Sequence, residues 1–104
     1  MQHFSEVKTK EVVPGIVGHY VHGSGQTIGY IKIAKGAVLP EHSHPHEQIT
    51  YIMQGEFEMT IGGEKYLFTP GCVHVIPSNT PHSALAITDC IAIDVFNPVR
   101  EDYK

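Results

Sequence analysis

Prolines and glycines interrupt this chain so often that no long helix fits into it. The sequence holds seven prolines and ten glycines, and a proline inside a helix removes a hydrogen bond and clashes with the preceding turn. No segment repeats apolar residues at the i, i+3, i+4, i+7 spacing over three turns. The chain is therefore expected to fold from strands, with little helix.

Short apolar or alternating segments lie between the interruptions, and each has the length of a strand. They cover residues 27–34, 49–53, 57–61, 66–68, 73–76, 83–87 and 91–96. Residues 57–61 alternate strictly and are followed by Gly62-Gly63, which predicts a hairpin with a tight glycine turn. Closely spaced short strands predict an all-β domain, either a sandwich or a small barrel.

The length of 104 residues suits one domain with a single apolar core. No internal repeat, low-complexity tract or linker divides the chain. We expect a single domain over residues 1–104, with a core barrel over about 12–97. Residues 1–11 are expected to form an arm, either loose or exchanged with a partner.

Charge and hydropathy exclude several classes of protein. The formal net charge is -4 and no run of Lys or Arg occurs, so nucleic acid is not an expected partner. The first residues lack the features of a signal peptide, and no apolar run is long enough to cross a bilayer, so we expect a cytoplasmic protein. Cys72 and Cys90 lack CxxC spacing and are interpreted as free thiols acting as small apolar residues.

Histidine is the outlier in the composition, with eight residues of this type. Three of them fall in the segment His42-Ser43-His44-Pro45-His46. In an extended segment His42 and His44 point to the same side, as two ligands of one metal ion must. A further histidine, His82, follows in the second half of the chain.

Two blocks of the sequence surround these histidines. They are, in order, Gly36, His42, His44, Gln48 and Gly55, and then Gly71, Pro77 and His82. The two blocks resemble the paired motifs of the cupin superfamily, with Gln48, Asn79 and Ala86 where that family usually has Glu, Gly and Asn. The resemblance implies a cupin double-stranded β-helix, a small barrel of the jelly-roll type, in which His42, His44, Gln48 and His82 converge on a metal ion.

The fourth ligand has two candidates. Gln48 occupies the family's ligand position, whereas His46 shares the parity of His42 and His44 but follows Pro45, which interrupts the strand. We favour Gln48. The expected cofactor is one divalent transition-metal ion, Zn, Ni, Fe or Mn, because imidazole and amide ligands suit several of these. An amide in place of a carboxylate leaves the ion more strongly electrophilic.

The other histidines have simpler interpretations. His3, His19 and His22 lack ligand-like spacing and are expected at the surface. His74 lies within a predicted strand, where a histidine satisfied by local contacts is more common than a ligand.

The last predicted strand carries an acid among apolar residues. Alternation places Ile91, Ile93 and Val95 on one face and Asp94 with Phe96 on the other. A carboxylate buried without a partner is costly, so Asp94 is expected to act in function or in a hydrogen-bond network. Arg100, the single arginine of the chain, offers a guanidinium fork for a carboxylate.

The run from Asp94 to Tyr103, together with His44-Pro45-His46-Glu47-Gln48-Ile49, resembles the KdgF cupins of pectin degradation. The likeness extends from about residue 36 to 103 and departs at Gly15-Ile16-Val17-Gly18-His19, where the family has a basic residue. The resemblance implies a ring-opening isomerase that converts 4,5-unsaturated uronates, released from pectin or alginate, into linear keto-sugars. Asp94 would move the proton, Arg100 would bind the substrate carboxylate and Phe96 would wall the sugar ring.

Other functions remain open. Cupins with three histidines and a Glu or Gln also resemble iron or nickel dioxygenases. A lyase acting on a small acid could use Asp94 or a tyrosine such as Tyr51 to abstract the proton, and a binding barrel without catalysis is a further alternative. A face with Ile91, Ile93 and Val95 would gain from pairing, so we expect a homodimer.

Overall fold

Residues of alternating polarity form ten strands in the computed structural model, which describes every residue from Met1 to Lys104. The strands are β1 (Thr9–Val13), β2 (Ile16–His22), β3 (Thr27–Ile33), β4 (Val38–His42), β5 (Glu47–Gln54), β6 (Phe57–Ile61), β7 (Glu64–Phe68), β8 (Val73–Ile76), β9 (His82–Ala86) and β10 (Cys90–Asn97). Short 3-10 turns lie at Phe4–Glu6 and Glu101–Tyr103. The all-β prediction, with minor helix, is confirmed.

The strands form two antiparallel sheets. The six-stranded sheet has the order β1-β2-β3-β10-β5-β8, and the four-stranded sheet has the order β4-β9-β6-β7. Alternate side chains of both sheets meet in one apolar core, which includes Ile31, Ile52 and Ala92 from the larger sheet and Phe57 and Met59 from the smaller one. The Ile52 side chain is fully buried, and burial of such a side chain stabilises the fold by roughly 1.5–3 kcal/mol.

Many outward side chains of the larger sheet are apolar as well. Nine of them form adjacent cross-strand rows: Val21, Ile28, Tyr30, Ile49, Tyr51, Val73, Val75, Ile93 and Val95. We call these residues the outer apolar face. Val73 is 62% exposed, so this surface is open in the single chain.

The predicted hairpin is confirmed. β6 pairs with β7 through Gly62 and Gly63, both of which have positive φ, the backbone conformation that a two-residue hairpin turn requires. All seven predicted strands are present, with shifts of a few residues at their ends.

Three strands escaped the sequence analysis: β1, β2 and β4. The expected N-terminal arm is shorter than predicted, because Thr9 already pairs with His19 as β1 joins the edge of the larger sheet. Both cysteines are free, as expected, although Cys72 is only half-buried whereas Cys90 is buried. None of the helical segments has the length and apolarity that a membrane span requires.

Two pairings position the candidate site. β4 pairs with β9, which sets His42 directly opposite His82. β10 lies between β3 and β5, so that Asp94 has Gly29 on one side and Thr50 on the other. Residues distant in sequence therefore meet at one end of the space between the sheets.

Candidate active site

Three of the sequence-predicted ligands form one cluster. One ligand atom from each of His42, His44 and His82 lies within 4.8 Å of the others. The His42 and His82 rings are closest, with centroids 4.2 Å apart, because their strands are paired at this position. His44 follows the end of β4 and lies 4.9 Å from the His82 ring.

Backbone carbonyls fix the tautomer of all three rings. Each Nδ1 donates to a main-chain oxygen: His42 to Pro40 (2.9 Å), His44 to His46 (3.0 Å) and His82 to Thr80 (2.8 Å). Since a carbonyl can only accept, the proton of each neutral ring is on Nδ1. The three Nε2 atoms are left with free lone pairs, which is the arrangement of histidines that bind a metal ion.

The Nε2 atoms have surroundings that suit a cation. His82 Nε2 is buried without a hydrogen-bond partner. His44 Nε2 lies 3.2 Å from Gln48 Oε1, and both atoms are acceptors in this tautomer. Gln48 is held in that orientation because its Nε2 donates to Thr50 Oγ1 at 2.9 Å. Lone pairs that face each other in a buried site fit a shared metal ion.

Burial also keeps these imidazoles neutral. Desolvation lowers the pKa of His44 to about 4, with smaller lowering by the charges of Arg100 and His82. Desolvation likewise lowers the pKa of His82. Neutral imidazole is the form that binds metal.

His46 lies next to this cluster, with its ring centroid 5.4 Å from that of His44, but is not one of its three members. Its Nδ1 is buried without a hydrogen-bond partner. Its Nε2 donates to the Val99 carbonyl at 3.3 Å, and its backbone oxygen accepts the hydrogen bond from His44. The ring stands edge-on to Phe96, with centroids 6.4 Å apart. His46 thus links β5 to the C-terminal segment.

Asp94 lies on the inner face of β10, the side predicted from the alternation. Its Oδ1 is buried and has no hydrogen-bond partner. Burial raises the pKa of this carboxyl to about 6, while Thr50, Gln48 and the Arg100 charge oppose the shift less strongly. A carboxyl with this pKa can both accept and donate a proton near neutral pH.

Arg100 is buried, not a surface charge. Its Nε and Nη2 donate to the two carboxylate oxygens of Asp102, at 3.0 and 2.8 Å. The guanidinium lies 3.9 Å from the centroid of the Tyr103 ring and 4.7 Å from that of Phe96. The Arg100 backbone N–H donates to Thr27 Oγ1 at 3.0 Å, which attaches the C-terminal segment to β3.

One pocket brings these groups together. Most of its lining is apolar, and its polar and aromatic residues are His42, Gln48, Thr50, Asp94, Arg100, Tyr20, Phe57, Phe96 and Tyr103. Sequence reasoning missed Tyr20, Thr50 and Asp102. Tyr51, named above as an alternative proton carrier, lies 40% exposed on the outer apolar face and does not line this pocket.

The remaining histidines lie outside the cluster. His74 packs on Tyr66, with ring centroids 4.7 Å apart, as expected of a locally satisfied strand histidine. His19 Nδ1 donates to the Val7 carbonyl at 2.9 Å, His22 Nδ1 lies 2.8 Å from Thr27 Oγ1, and His3 is exposed.

Comparison with known proteins agrees with this architecture. Residues 29–96 match the model of the family described as Cupin domain, and the chain belongs to the cupin family. Within that family it is 35% identical to the pectin degradation protein KdgF of Dickeya dadantii over 75 residues, which are 70% of this chain and 68% of that protein. The chain is thus a member of the KdgF family of cupins.

Solved structures support the same assignment. The structure of KdgF from Halomonas sp. superposes with a TM-score of 0.86 at 38% identity, over 94% of this chain and 92% of that one. An RmlC-like cupin from Shewanella frigidimarina superposes with a TM-score of 0.93 at 27% identity, over 100% of this chain and 95% of that one.

A shorter sequence match is to quercetin 2,3-dioxygenase of Bacillus subtilis. It is 43% identical over 51 residues, which are 47% of this chain but 15% of that protein.

Proposed function

We propose that this protein converts 4,5-unsaturated uronate monosaccharides into linear keto-sugars, as a metal-dependent ring-opening enzyme of pectin or alginate breakdown. The observation that carries the proposal is the Asp94 carboxyl, buried with an unpaired oxygen in the pocket that also contains His42 and Arg100. Membership of the KdgF family gives the substrate class.

The proposed metal ligands are His42, His44, His82 and Gln48. The carboxamide is favoured over His46 because Gln48 Oε1 faces His44 Nε2, whereas the His46 Nε2 donates to Val99. A divalent ion bound there supplies Lewis-acid chemistry without redox, stabilising negative charge on substrate oxygens. Zn, Ni, Fe and Mn all suit this donor set.

Asp94 is proposed to move the proton. The carboxylate accepts the proton of the anomeric hydroxyl, the C1–ring oxygen bond breaks as the C1 carbonyl forms, and the electron pair passes to the ring oxygen as an enolate. Return of the proton to C4 converts the enolate into a ketone, so the reaction is an isomerisation with no co-reactant. A pKa of about 6 suits both steps.

Arg100 and Phe96 are proposed to position the substrate. Asp102 occupies the Nε and Nη2 edge of the guanidinium, which leaves Nη1 to donate to the uronate carboxylate. The Phe96 ring lies below the same guanidinium. A sugar whose carboxylate binds Arg100 would therefore pack against this ring. Asp102 holds the arginine in place and is a positioning residue.

The test is turnover of 4,5-unsaturated galacturonate by the metal-loaded protein. Loss of the absorbance of the conjugated double bond reports ring opening, and proton NMR identifies the keto-sugar. We expect catalytic turnover by the natural chain, a loss of at least about 100-fold in His42→Ala, and unchanged turnover in His3→Ala, which alters a histidine outside the pocket. Absence of turnover with each of the four metal ions would contradict the proposal.

The same assay distinguishes the rival functions. Oxygen consumption by the Fe(II)-loaded protein would favour a dioxygenase, for which the short match to quercetin 2,3-dioxygenase is the motivating observation. Release of a small leaving group would favour a lyase. Binding of the uronate without conversion would favour a barrel that only binds its ligand.

We also propose that the protein is a homodimer that pairs through the outer apolar face. Support comes from the composition of that face, in which nine neighbouring positions carry no charged side chain. In a dimer with a twofold axis, the outer apolar face of one copy would pack against the same face of the other. The cytoplasmic location stays a prediction that cell fractionation can check.

A further inference from the structure

β2 and β3 build one wall of the pocket, to which Ile16, Tyr20, Ile31 and Ile33 contribute. β2 belongs to the region where the sequence departs from the KdgF pattern. Val17 and His19 point away from the core, while Ile16, Gly18 and Tyr20 point inward. The inner face of β2 therefore presents the Tyr20 side chain next to Gly18, which has no side chain.

The Tyr20 ring lies flat across two glycines. A Cβ at Gly18 would lie 2.5 Å from Tyr20 Cε2 and Cζ, and a Cβ at Gly29 would lie 2.6 Å from Tyr20 Cε1. Neither glycine has a positive φ, so the backbone conformation there admits other residues. The requirement for glycine at both positions comes from the ring, which is held flat against the sheet.

Gly29 leaves room for the Tyr20 ring beside Asp94. It is the direct cross-strand partner of Tyr20 in β2 and of Asp94 in β10. Tyr20 and Asp94 thus belong to one cross-strand row through Gly29, while the Tyr20 hydroxyl lies over Gly18, where an added Cβ would be 2.7 Å from it. Tyr20, Asp94 and Arg100 line the same pocket.

The Tyr20 hydroxyl has no partner within the protein. It takes part in none of the hydrogen bonds of the fold, and it is not among the buried polar atoms that lack a partner. The Tyr103 ring packs 4.5 Å from the Tyr20 ring and restricts it from the other side. Burial raises the pKa of Tyr20, so the phenol keeps its proton and can act as a donor.

We infer that Tyr20 contacts the substrate and helps to determine specificity, its hydroxyl donating a hydrogen bond to a ring hydroxyl of the uronate bound beside Asp94. The inference rests on the proposed function. Arg100 would bind the substrate carboxylate, and Tyr20 would recognise a neutral hydroxyl of the same sugar. A group that hydrogen-bonds a substrate hydroxyl discriminates between epimers in which that hydroxyl points differently.

The test compares Tyr20→Phe with the natural chain on two substrates. These are the unsaturated uronates from galacturonate and mannuronate polymers, which differ in configuration at C2. We expect KM for the preferred epimer to rise about tenfold in Tyr20→Phe, the effect of one lost hydrogen bond, with kcat within about threefold. The preference between the epimers should fall by a similar factor.

Matched measurements separate contact from folding. Tyr51→Phe removes a phenol from the outer apolar face and should leave both constants unchanged. Gly29→Ala should displace the Tyr20 ring and weaken binding at least as much as Tyr20→Phe. Calorimetry with galacturonate, a saturated analogue that cannot react, should show about tenfold weaker binding to Tyr20→Phe, at unchanged metal content and thermal midpoint.

Two results would overturn the inference in distinguishable ways. If the natural chain turns over the substrates and Tyr20→Phe matches it in KM, epimer preference and galacturonate binding, the role of Tyr20 is wrong while the proposed function stands. If the natural chain turns over neither epimer, the proposed function fails and the inference fails with it.

Discussion

At the scale of single residues, the pocket contains buried polar atoms that lack a hydrogen-bond partner within the chain. The Asp94 carboxyl has a buried oxygen without a hydrogen-bond partner, and His82 Nε2 is likewise buried without one. Unpaired buried polar atoms cost roughly 1–3 kcal/mol each, so they are unusual outside functional sites. The arrangement of neutral imidazoles, an oriented carboxamide and a protonatable carboxyl accounts for both.

The fourth metal ligand can be tested with paired alanine variants. Gln48→Ala removes the oxygen that faces His44 Nε2, and we expect the Zn²⁺ affinity to fall at least about tenfold, the loss seen when even an outer contact of a metal site is removed. His46→Ala retains the backbone oxygen that orients His44 and should change the affinity much less. Competition titration with a chelating dye measures both, and the reverse order would favour His46 as the ligand.

Burial of Asp94 predicts a pH-dependent stability. Because its folded pKa is about 6, above its ordinary value of 3.8, ionisation destabilises the fold above pH 6, and this loss disappears as the pH falls towards 4. Asp94→Asn should therefore be more stable than the natural chain at pH 7.5, by up to about 3 kcal/mol, and nearly equal at pH 4. Urea unfolding of the metal-free proteins measures the difference, and a constant difference across this range would contradict the assigned pKa.

At the scale of elements, the C-terminal segment after β10 completes the pocket. Thr27, at the start of β3, is fully buried and accepts the hydrogen bond from the Arg100 backbone. Its Oγ1 also lies 2.8 Å from His22 Nδ1. Through this contact β3 determines where Arg100 and Tyr103 lie relative to Asp94.

Thr27→Val tests this attachment. Valine has nearly the same shape but cannot accept the hydrogen bond, which leaves the buried Arg100 N–H unpaired. We expect the free energy of unfolding to fall by about 1–3 kcal/mol and KM for the uronate to rise as Arg100 loses its position. Thr60→Val in β6 provides the control, and equal stability of the two variants would exclude the proposed role of Thr27.

Elements with a clear local pattern could be predicted from the sequence. The β6–β7 hairpin has strict alternation and a glycine turn, and the parity of β10 placed Asp94 and Phe96 on the inner face. β2 escaped because Gly18 on its inner face breaks the apolar alternation.

The site shows the same division. The resemblance of two sequence blocks to the cupin motifs, together with the spacing of His42 and His44, predicted the metal cluster. Tyr20 reaches Asp94 only through the register of three strands, and Asp102 meets Arg100 only because the chain turns after residue 97. Contacts that depend on strand register between distant segments, or on the geometry of a local turn, leave no periodic signal in one sequence.

At the scale of the whole molecule, the two sides of the larger sheet have different expected roles. The inner face closes the core and the pocket. On the outer apolar face, Phe4 stacks on Tyr30 with ring centroids 5.6 Å apart, whereas Ile49, Tyr51, Val73 and Val75 are exposed. An exposed apolar area of this kind is typical of an interface between subunits.

Ile93→Lys tests the dimer. Ile93 lies in the middle of the outer apolar face, between Tyr51 and Tyr30 on the adjacent strands, and a lysine there would bury a charge in the interface. We expect the natural chain to scatter with twice the mass of one chain and Ile93→Lys to be monomeric. Leu67→Lys, on the outer side of the smaller sheet and 55% exposed, should stay dimeric, and a monomeric natural chain would exclude the interface.

The assignment of Asp94 as the proton carrier is the central claim, because it separates a ring-opening enzyme from a metal barrel that only binds a sugar. The most direct test measures turnover of 4,5-unsaturated galacturonate by Asp94→Asn in parallel with its metal content. We predict that kcat falls at least about 100-fold, the usual contribution of a general acid–base group, while metal content and galacturonate binding stay at the level of the natural chain. Turnover by Asp94→Asn at the rate of the natural chain would contradict the account.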